Sequence, residues 1–535
     1  MKSFSKTLPV SPDLDHLKKQ AKELLREALS GDASALRRFV DGLPAARGLA
    51  PAELAHRELK LHDAQSVIAR EYGLASWAEL SRYVDWKRSD RAERLKLWAR
   101  WVYMDQARER QMALRMLREE PELFARPAML KEPWIACAVG DVAMLTEALD
   151  SVKSDAWVKQ PIGPLGMPPL VAVTHSQLAL EPVFEEGMLG CVALLLKRGA
   201  DPDSGWMSPE WEHNPLSALF GAAGRARSTR MTKMLLEAGA TPDDRESLYH
   251  SCEAANPEIT RLLLNAGATV TGTNAMGRVM DFDKPDLLRE MIAHGGDVNE
   301  KPWVHHAILR GRGTEHMRIL VEAGANLRAV DASGTSLFQF AQLHGRQDVL
   351  AMLREAGISE EMTAEESFVA AAARGDEATA REILGRMPDI FSRLSEHQLE
   401  TMPQLAATGQ IEAVRTMLAV GWPREVKFGW GATALNLAVF RGDAEMAELL
   451  LESGADWQTE HGFNNNVIGT LAWASNNAAD GSDGPTVGDW TGCARILVEH
   501  GVPLTAFEGY SFSPEVEDTV DRFRLRLTDK QPFTE

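Results

Sequence analysis

The sequence predicts an all-α fold in which about eleven helix-turn-helix repeats form a solenoid behind a small helical N-terminal domain. The first observation is a recurring helix ending, in which an apolar stretch stops at glycine. The second is its spacing: from Gly239 to Gly324 the glycines are 28, 28 and 29 residues apart, and Gly357 follows after 33. Short hairpins at a fixed period bury their apolar faces only by stacking on each other. The recurring glycines are Gly199, Gly239, Gly267, Gly295, Gly324, Gly357, Gly454 and Gly501, with a weaker version at Gly421.

The clearest unit is GATALNLAVFRGDAEMAELLLESGADW, residues 431–457. Its two halves place apolar residues at helical spacing, and RGD separates them. Thr433 can cap the first helix, and Gly454 can end the second in a left-handed conformation. Two helices this short are marginal in water, so the hairpin needs neighbours of the same kind.

This unit resembles the ankyrin repeat, whose first helix usually opens with T-P-L-H-x-A. TALNLA stands for that opening and LLLESGAD for the close, whereas elsewhere the opening has decayed, for example to NPLSAL at 214–219. The resemblance covers roughly 70% of the chain, residues 132–506, counting three units with a weak or absent closing pattern. It implies a non-catalytic scaffold that binds proteins through the concave face and the finger loops between repeats.

Spacing also predicts where the fingers differ. The 28-residue intervals leave no room for a full finger, whereas the intervals from Gly199 to Gly239 and from Gly454 to Gly501 span 40 and 47 residues. Insertions of this kind map to loops on one side of a solenoid, and loops often carry function.

Three segments flank or precede the array. Residues 1–85 are predicted to form a helical domain of about four helices between 14 and 84, and HLKKQAKELL, LHDAQSVIAREYG and SWAEL resemble the leader of bacterial ankyrin-repeat proteins. Residues 86–131 are predicted to be a basic helical connector and cap, and residues 507–535 a C-terminal tail. The resemblance assigns no activity to the leader.

Charge separates the array from the N-terminal part. Residues 1–135 hold 25 Lys and Arg against 20 Asp and Glu, and the rest of the chain holds 33 against 57. An acidic array repels phosphate backbones and favours basic protein partners, so no nucleic acid is expected there. Oligomeric state is open.

No apolar run suits a signal peptide or a membrane span, so we expect a cytoplasmic protein. Its four cysteines are far apart in sequence and are expected to be reduced and buried. A weaker alternative is that the basic stretch 86–118, with Trp86, Trp98 and Trp101, touches nucleic acid or an anionic membrane.

Motifs for catalysis are missing from the sequence. HEXXH, CXXC, GXXXXGK[ST] and GXSXG do not occur, and the loose group of His294, His305, His306 and His316 has no ligand spacing for a metal. We therefore expect no enzyme activity, no cofactor and no metal. The alternative is an effector or regulatory protein whose repeats target an unrecognised activity in the N-terminal region.

Aromatic residues near the fingers are the candidate partner-binding residues. Large rigid side chains bury much area at little entropic cost, and they dominate binding hot spots. For each one, packing on its own finger is the competing interpretation. The candidates are Trp206, Trp211, Phe428, Trp430, Trp457, Phe463 and Trp490.

Overall fold

The fold was examined in a computed structural model of the 535-residue chain. It describes residues 6–9, 11–43, 46, 49–55, 59–74, 76–103, 107–151, 155–208, 211–477 and 487–526. The chain divides into two compact units. The discontinuous unit comprises Met1–Leu97, Trp430–Ala478 and Val487–Glu535. We call the other the continuous unit because nearly all of it is the single segment Trp98–Gly429, to which Ala479–Thr486 is added.

The predicted all-α fold class is confirmed, and within the described ranges eleven helical hairpins follow one another along the chain. They are α9 Pro133–Val139 with α10 Val142–Ser151, α11 Pro169–Thr174 with α12 Pro182–Lys197, α13 Ala218–Phe220 with α14 Thr229–Glu237, α15 Ser247–Ser251 with α16 Glu258–Asn265, α17 Ala275–Asp281 with α18 Pro285–Ala293, α19 Trp303–Leu309 with α20 Thr314–Glu322, α21 Leu337–Leu343 with α22 Gln347–Glu355, α23 Ala364–Ala373 with α24 Glu377–Arg386, α26 Thr401–Ala407 with α27 Ile411–Ala419, α28 Ala434–Arg441 with α29 Ala444–Glu452, and α30 Val467–Asn477 with α31 Trp490–Glu499.

The remaining helices precede, interrupt or follow this array. They are α1 Leu14–Leu29, α2 Ala33–Gly42, α3 Pro51–Leu54, α4 Leu61–Glu71, α5 Trp77–Arg88, α6 Arg91–Tyr103, α7 Ala107–Glu119, α8 Arg126–Lys131, α25 Glu396–Leu399 and α32 Pro514–Arg526. The region predicted to hold about four helices, 14–84, thus contains α1 to α4 and most of α5.

The hairpin α28–α29 shows why these sequences fold as they do. Thr433 Oγ1 accepts from the amide of Asn436 and caps α28, and Asp443 caps α29 through the amide of Met446. Gly442 ends α28 at φ +66°, and Gly454 lies beyond α29 at φ +85°. Leu450 is fully buried between the helices. The predicted cap at Thr433 and the stop at Gly454 are confirmed.

The long finger predicted between Gly199 and Gly239 contains a β-hairpin. Strand β1, Gly205–Ser208, pairs antiparallel with β2, Trp211–Ser217, and Trp206 lies opposite Leu216. A π-helical turn, Gly221–Arg225, then extends α13. The finger therefore has regular secondary structure of its own.

Ion pairs link the first helices of the three repeats whose closing glycines follow at intervals of 28, 28 and 29 residues. His250 on α15 and Arg278 on α17 both bond to Glu253, at 2.9 Å and 2.5 Å. Asp281 in turn bonds to His306 and Arg310, at 3.0 Å and 2.7 Å. The side chain of Glu253 is only 2% exposed, so water screens its ion pairs little. These ion pairs connect neighbouring repeats where a full finger is lacking.

Within the discontinuous unit, the C-terminal segment after α31 is packed. A 3-10 turn, Leu504–Phe507, leads to α32, which lies against α31. Asn476 at the end of α30 donates to the carbonyl of Ser511 at 2.7 Å. Arg70 of α4 forms an ion pair with Asp518 of α32 at 3.7 Å. The segment therefore joins the N-terminal helices to the last repeat inside this unit.

All four cysteines are buried and unpaired, as expected from their positions in the sequence. They are Cys137, Cys191, Cys252 and Cys493. Burial raises the pKa of the Cys191 and Cys252 thiols to about 12. These thiols act as small apolar side chains.

Candidate functional site

Aromatic rings from two neighbouring repeats form a continuous row in the discontinuous unit. Phe440 of α28 and Trp473 of α30 stack with centroids 5.6 Å apart and planes 11° from parallel. Phe440 also contacts Trp430, at 6.2 Å, in the loop before α28. Helix α28 packs against α30, and this packing places both helical rings on one side of the repeat pair.

The row continues into the loop before α30. Trp430 contacts His461 edge-on at 4.7 Å and Phe463 at 5.8 Å. We call Trp430, Phe440, His461, Phe463 and Trp473 together the aromatic strip. It joins two first helices with the loops that precede them.

Backbone contacts fix the two loops against each other. The amide of Gly462 donates to the carbonyl of Trp430 at 2.9 Å, and a Cβ at Gly462 would lie 2.5 Å from that oxygen. The amide of Phe463 donates to Nδ1 of His461 at 3.3 Å, so the ring proton of a neutral His461 lies on Nε2. Only glycine permits this approach, which holds the rings in place without a partner.

The strip has exposed ends and a partly buried middle. Phe463 is 74% exposed and Trp473 is 43% exposed, whereas Trp430 and Phe440 are half-buried and His461 is buried. Single exposed apolar residues are common on protein surfaces, whereas a contiguous group of exposed and half-buried rings is the kind of patch that marks a contact surface.

The surrounding segment is acidic. Residues 430–477 contain Arg441 as their one Lys or Arg, against Asp443, Glu445, Glu448, Glu452, Asp456 and Glu460. Glu460 lies three residues before Phe463 and is exposed, and it forms no ion pair with any residue that the structure describes. The loop thus combines an exposed ring with a free carboxylate.

The structure brings two of the predicted binding residues, Trp430 and Phe463, into one surface. Trp206 is half-buried and belongs to a different site: its indole donates to the carbonyl of Leu165 at 2.8 Å, and its ring meets that of His175. Trp211 begins β2, but its side chain lies outside the described part of the chain.

Among the described residues, the other three candidates make no ring contact with the strip. Phe428 and Trp457 are half-buried in their loops. Trp490 is half-buried at the first residue of α31, and its indole nitrogen is buried with no hydrogen-bond partner among the described residues.

Sequence reasoning missed Phe440, His461 and Trp473. Phe440 and Trp473 lie in apolar helical segments, where an aromatic residue has the pattern of an ordinary core residue. A signal was nevertheless present, because Trp473 follows Phe440 by 33 residues and Phe463 follows Trp430 by 33. Aromatic residues that recur at the repeat period occupy equivalent positions and therefore line up on the same side.

The aromatic residues of the basic stretch are not available to a membrane or nucleic acid. Trp86 and Trp98 are fully buried and Trp101 is 9% exposed. Trp98 donates to the carbonyl of Ala113 at 3.2 Å and packs on Trp134. Their burial disfavours the alternative that this stretch binds through its tryptophans.

The histidines considered as ligands have structural partners. His305 contacts the carbonyl of Thr335 at 3.3 Å, and His306 bonds to Asp281 of the preceding repeat. His316 lies 3.7 Å from Asp283, and His294 contacts the carbonyl of Glu290 at 2.8 Å. In the described ranges no group of three or more His, Cys, Asp or Glu could hold a metal ion.

Comparison with known proteins agrees with this architecture. The ankyrin repeat family matches residues 430–460, which include Trp430, the whole hairpin α28–α29 and the first part of the loop that follows it. The chain thus has a helical-repeat fold, and its segment 430–460 is similar to the ankyrin repeat.

Among solved structures, the chain is similar to the human ASB11 ankyrin repeat domain at 18% identity and a TM-score of 0.32. The match covers 43% of this chain and 98% of that one. No curated protein matches. Within the described residues, no helix is both long enough and apolar enough to cross a membrane.

Proposed function

We propose that this chain is a non-catalytic scaffold that binds partner proteins, and that the aromatic strip is a principal contact surface. The main supporting observation is that one row of rings is exposed at both ends, with Phe463 in a loop that is held against its neighbour and Trp473 on α30. Rigid aromatic anchors lose little entropy on binding. Ankyrin repeats in general are protein-interaction modules, which supports the same function.

The acidic surroundings support a basic partner. An acidic surface attracts positively charged proteins and speeds their encounter. In this function, residues 132–506 form the binding array. Residues 1–85 and 86–131 are helical regions that precede the array, and residues 507–535 are the C-terminal tail that follows it. Four unpaired thiols fit a cytoplasmic location.

Affinity capture from native cytoplasm tests the proposal. Wild type is compared with a Phe463→Ala, Trp473→Ala double variant and with a Trp206→Ala, Trp457→Ala, Trp490→Ala triple variant. We expect a partner that is lost from the first variant and kept by the second. Val183→Ala is the matched control, because Val183 is 82% exposed on α12 of the continuous unit.

Circular dichroism checks that each variant folds. A partner retained by the double variant and lost from the triple variant would exclude the aromatic strip as the principal surface. It would place the site on the other fingers.

A further inference from the structure

The two exposed rings of the aromatic strip can contribute more than apolar area, because an aromatic ring also carries a negative π face. Trp473 stacks with Phe440 almost in parallel, so one face of its indole is covered by that ring. Since Trp473 is 43% exposed, its remaining surface is open to a ligand. Phe463 presents most of its ring at the other end of the strip.

Aromatic faces attract cations, and this chain uses such contacts elsewhere. The guanidinium of Arg278 lies 4.9 Å from the ring centres of both Tyr249 and Phe282, and that of Arg94 lies 5.2 Å from Trp86. Among the residues that the structure describes, no Lys or Arg is placed over the ring of Trp473 or of Phe463. These two exposed rings therefore offer surface that a cation from another molecule can reach.

Local charge points to the same ligand. Glu460 is an exposed carboxylate without an ion-pair partner in the described ranges, in the same loop as Phe463. A guanidinium can stack on an aromatic face with its planar surface and donate hydrogen bonds to a carboxylate from its edge. An ammonium has no such planar surface, so arginine fits this combination better than lysine.

We infer that the aromatic strip binds an arginine-bearing segment of the partner protein, with guanidinium groups stacked on Trp473 and Phe463 and with Glu460 supplying the counter-charge. This inference rests on the proposed function and names the chemistry of the same surface. The ligand is thus a segment of a protein, and arginine is the residue that the strip recognises.

The probe is a fluorescently labelled, acetylated peptide of alternating arginine and glycine, and its binding to the full chain is measured by fluorescence anisotropy. We expect Trp473→Ala and Phe463→Ala each to weaken binding by about 3- to 10-fold. Trp473→Phe should retain part of the affinity because it keeps a π face. Glu460→Gln should weaken binding less, and its effect should fade at high salt.

Two controls separate stacking from general charge attraction. Glu452→Gln removes one exposed acidic group at the end of α29, away from the rings in sequence, and should change the affinity less than Glu460→Gln. A peptide with citrulline in place of arginine keeps the shape but loses the charge, and it should not bind. A lysine peptide should bind more weakly than the arginine peptide.

The inference is overturned if the arginine peptide fails to bind wild type, if the citrulline peptide binds equally, or if neither ring variant changes the affinity. If native capture still depends on Phe463 and Trp473 in that case, the scaffold proposal stands and only the arginine chemistry is wrong. If native capture is also independent of both rings, the strip fails as a binding surface and the inference fails with it.

Discussion

His250 lies between two carboxylates on α15, and this position makes its charge part of the fold. Its Nδ1 lies 2.9 Å from Glu253, and its Nε2 lies 3.4 Å from Glu246. Burial lowers the pKa of His250 because it disfavours the charged imidazole. The hydrogen bonds to Glu246 and Glu253 outweigh this effect and raise the pKa to about 9. The protonated side chain thus starts the row of ion pairs that continues through Arg278.

The stability that His250 contributes should depend on pH. Because its folded pKa is raised above the ordinary value of 6.5, the contribution is complete below pH 6.5 and is lost as pH rises through about 9. We expect His250→Gln to lower the free energy of unfolding by about 2 kcal/mol at pH 6, and by much less at pH 10.

Urea unfolding of wild type and variant at both pH values measures this difference. His500→Gln, at an exposed imidazole, is the control and should show no such trend. A gap between wild type and His250→Gln that grows toward pH 10 would contradict the assignment.

At this scale, the sequence identified part of the candidate site. Trp430 and Phe463 stood out because aromatic residues in finger loops are recognisable without a structure. Phe440 and Trp473 did not, because an aromatic residue on an amphipathic helix has the same pattern whether it is buried or half exposed. Only the packing of α28 against α30 decides that Trp473 remains exposed.

At the scale of the element, the loops before α28 and α30 act as one rigid piece through Gly462. An alanine there would place its Cβ 2.5 Å from the carbonyl oxygen of Trp430 and would break the 2.9 Å hydrogen bond between the loops. We expect Gly462→Ala to cost about 1–3 kcal/mol locally, because backbone must shift to relieve the clash.

The same variant should weaken partner binding by moving Phe463 away from Trp430. Hydrogen exchange measured by mass spectrometry should rise in the peptides that contain residues 430 and 462. Gly454→Ala is the control: its φ of +85° strains the turn, but a Cβ there meets no atom within 4 Å, so the strip should stay intact. Equal binding by both variants would show that the locked loops do not position the rings.

Helix boundaries were the most predictable feature of the elements. Thr433 caps α28 and Gly454 is left-handed after α29, as the sequence predicts. Both features depend on local chemistry, so they can be predicted without the rest of the fold. The β-hairpin Gly205–Ser217 was expected only as a long finger, because strand pairing in an insertion depends on its register. The short spacing between Gly239 and Gly324 was visible, but the ion pairs that reinforce it depend on contacts between repeats.

At the scale of the whole molecule, the discontinuous unit depends on its C-terminal segment. Phe512 is 4% exposed and contacts Phe507 with ring centres 5.8 Å apart. It lines a cavity of about 160 Å³ that His62 of α4 and Trp77 of α5 also line. The segment thus fills space between the N-terminal helices and the last repeat within this unit.

Phe512→Ala should therefore destabilise helices that are distant in sequence. We expect a loss of about 3 kcal/mol and faster hydrogen exchange in α4 and α30, with no change in α15–α22 of the continuous unit. Leu29→Ala, at a residue of α1 that is 62% exposed, is the control in the same unit. Unchanged exchange in α4 would contradict a packing role for the segment.

The packing of the C-terminal segment against the N-terminal helices could not be predicted from the sequence. Repeat periodicity predicts contacts between neighbours about 30 residues apart, and it supplied the eleven hairpins. It contains no information that pairs Arg70 with Asp518, because that contact depends on surfaces formed only after folding.

The same contact has a consequence for biosynthesis. A ribosome delivers the N-terminal helices α1–α5 first, yet α32 leaves it only after the entire continuous unit has been made. The nascent N-terminal helices must therefore wait with part of their packing surface uncovered while the intervening repeats fold on their own neighbours. We expect the nascent chain to be most vulnerable to proteases and most dependent on chaperones until α32 has left the ribosome.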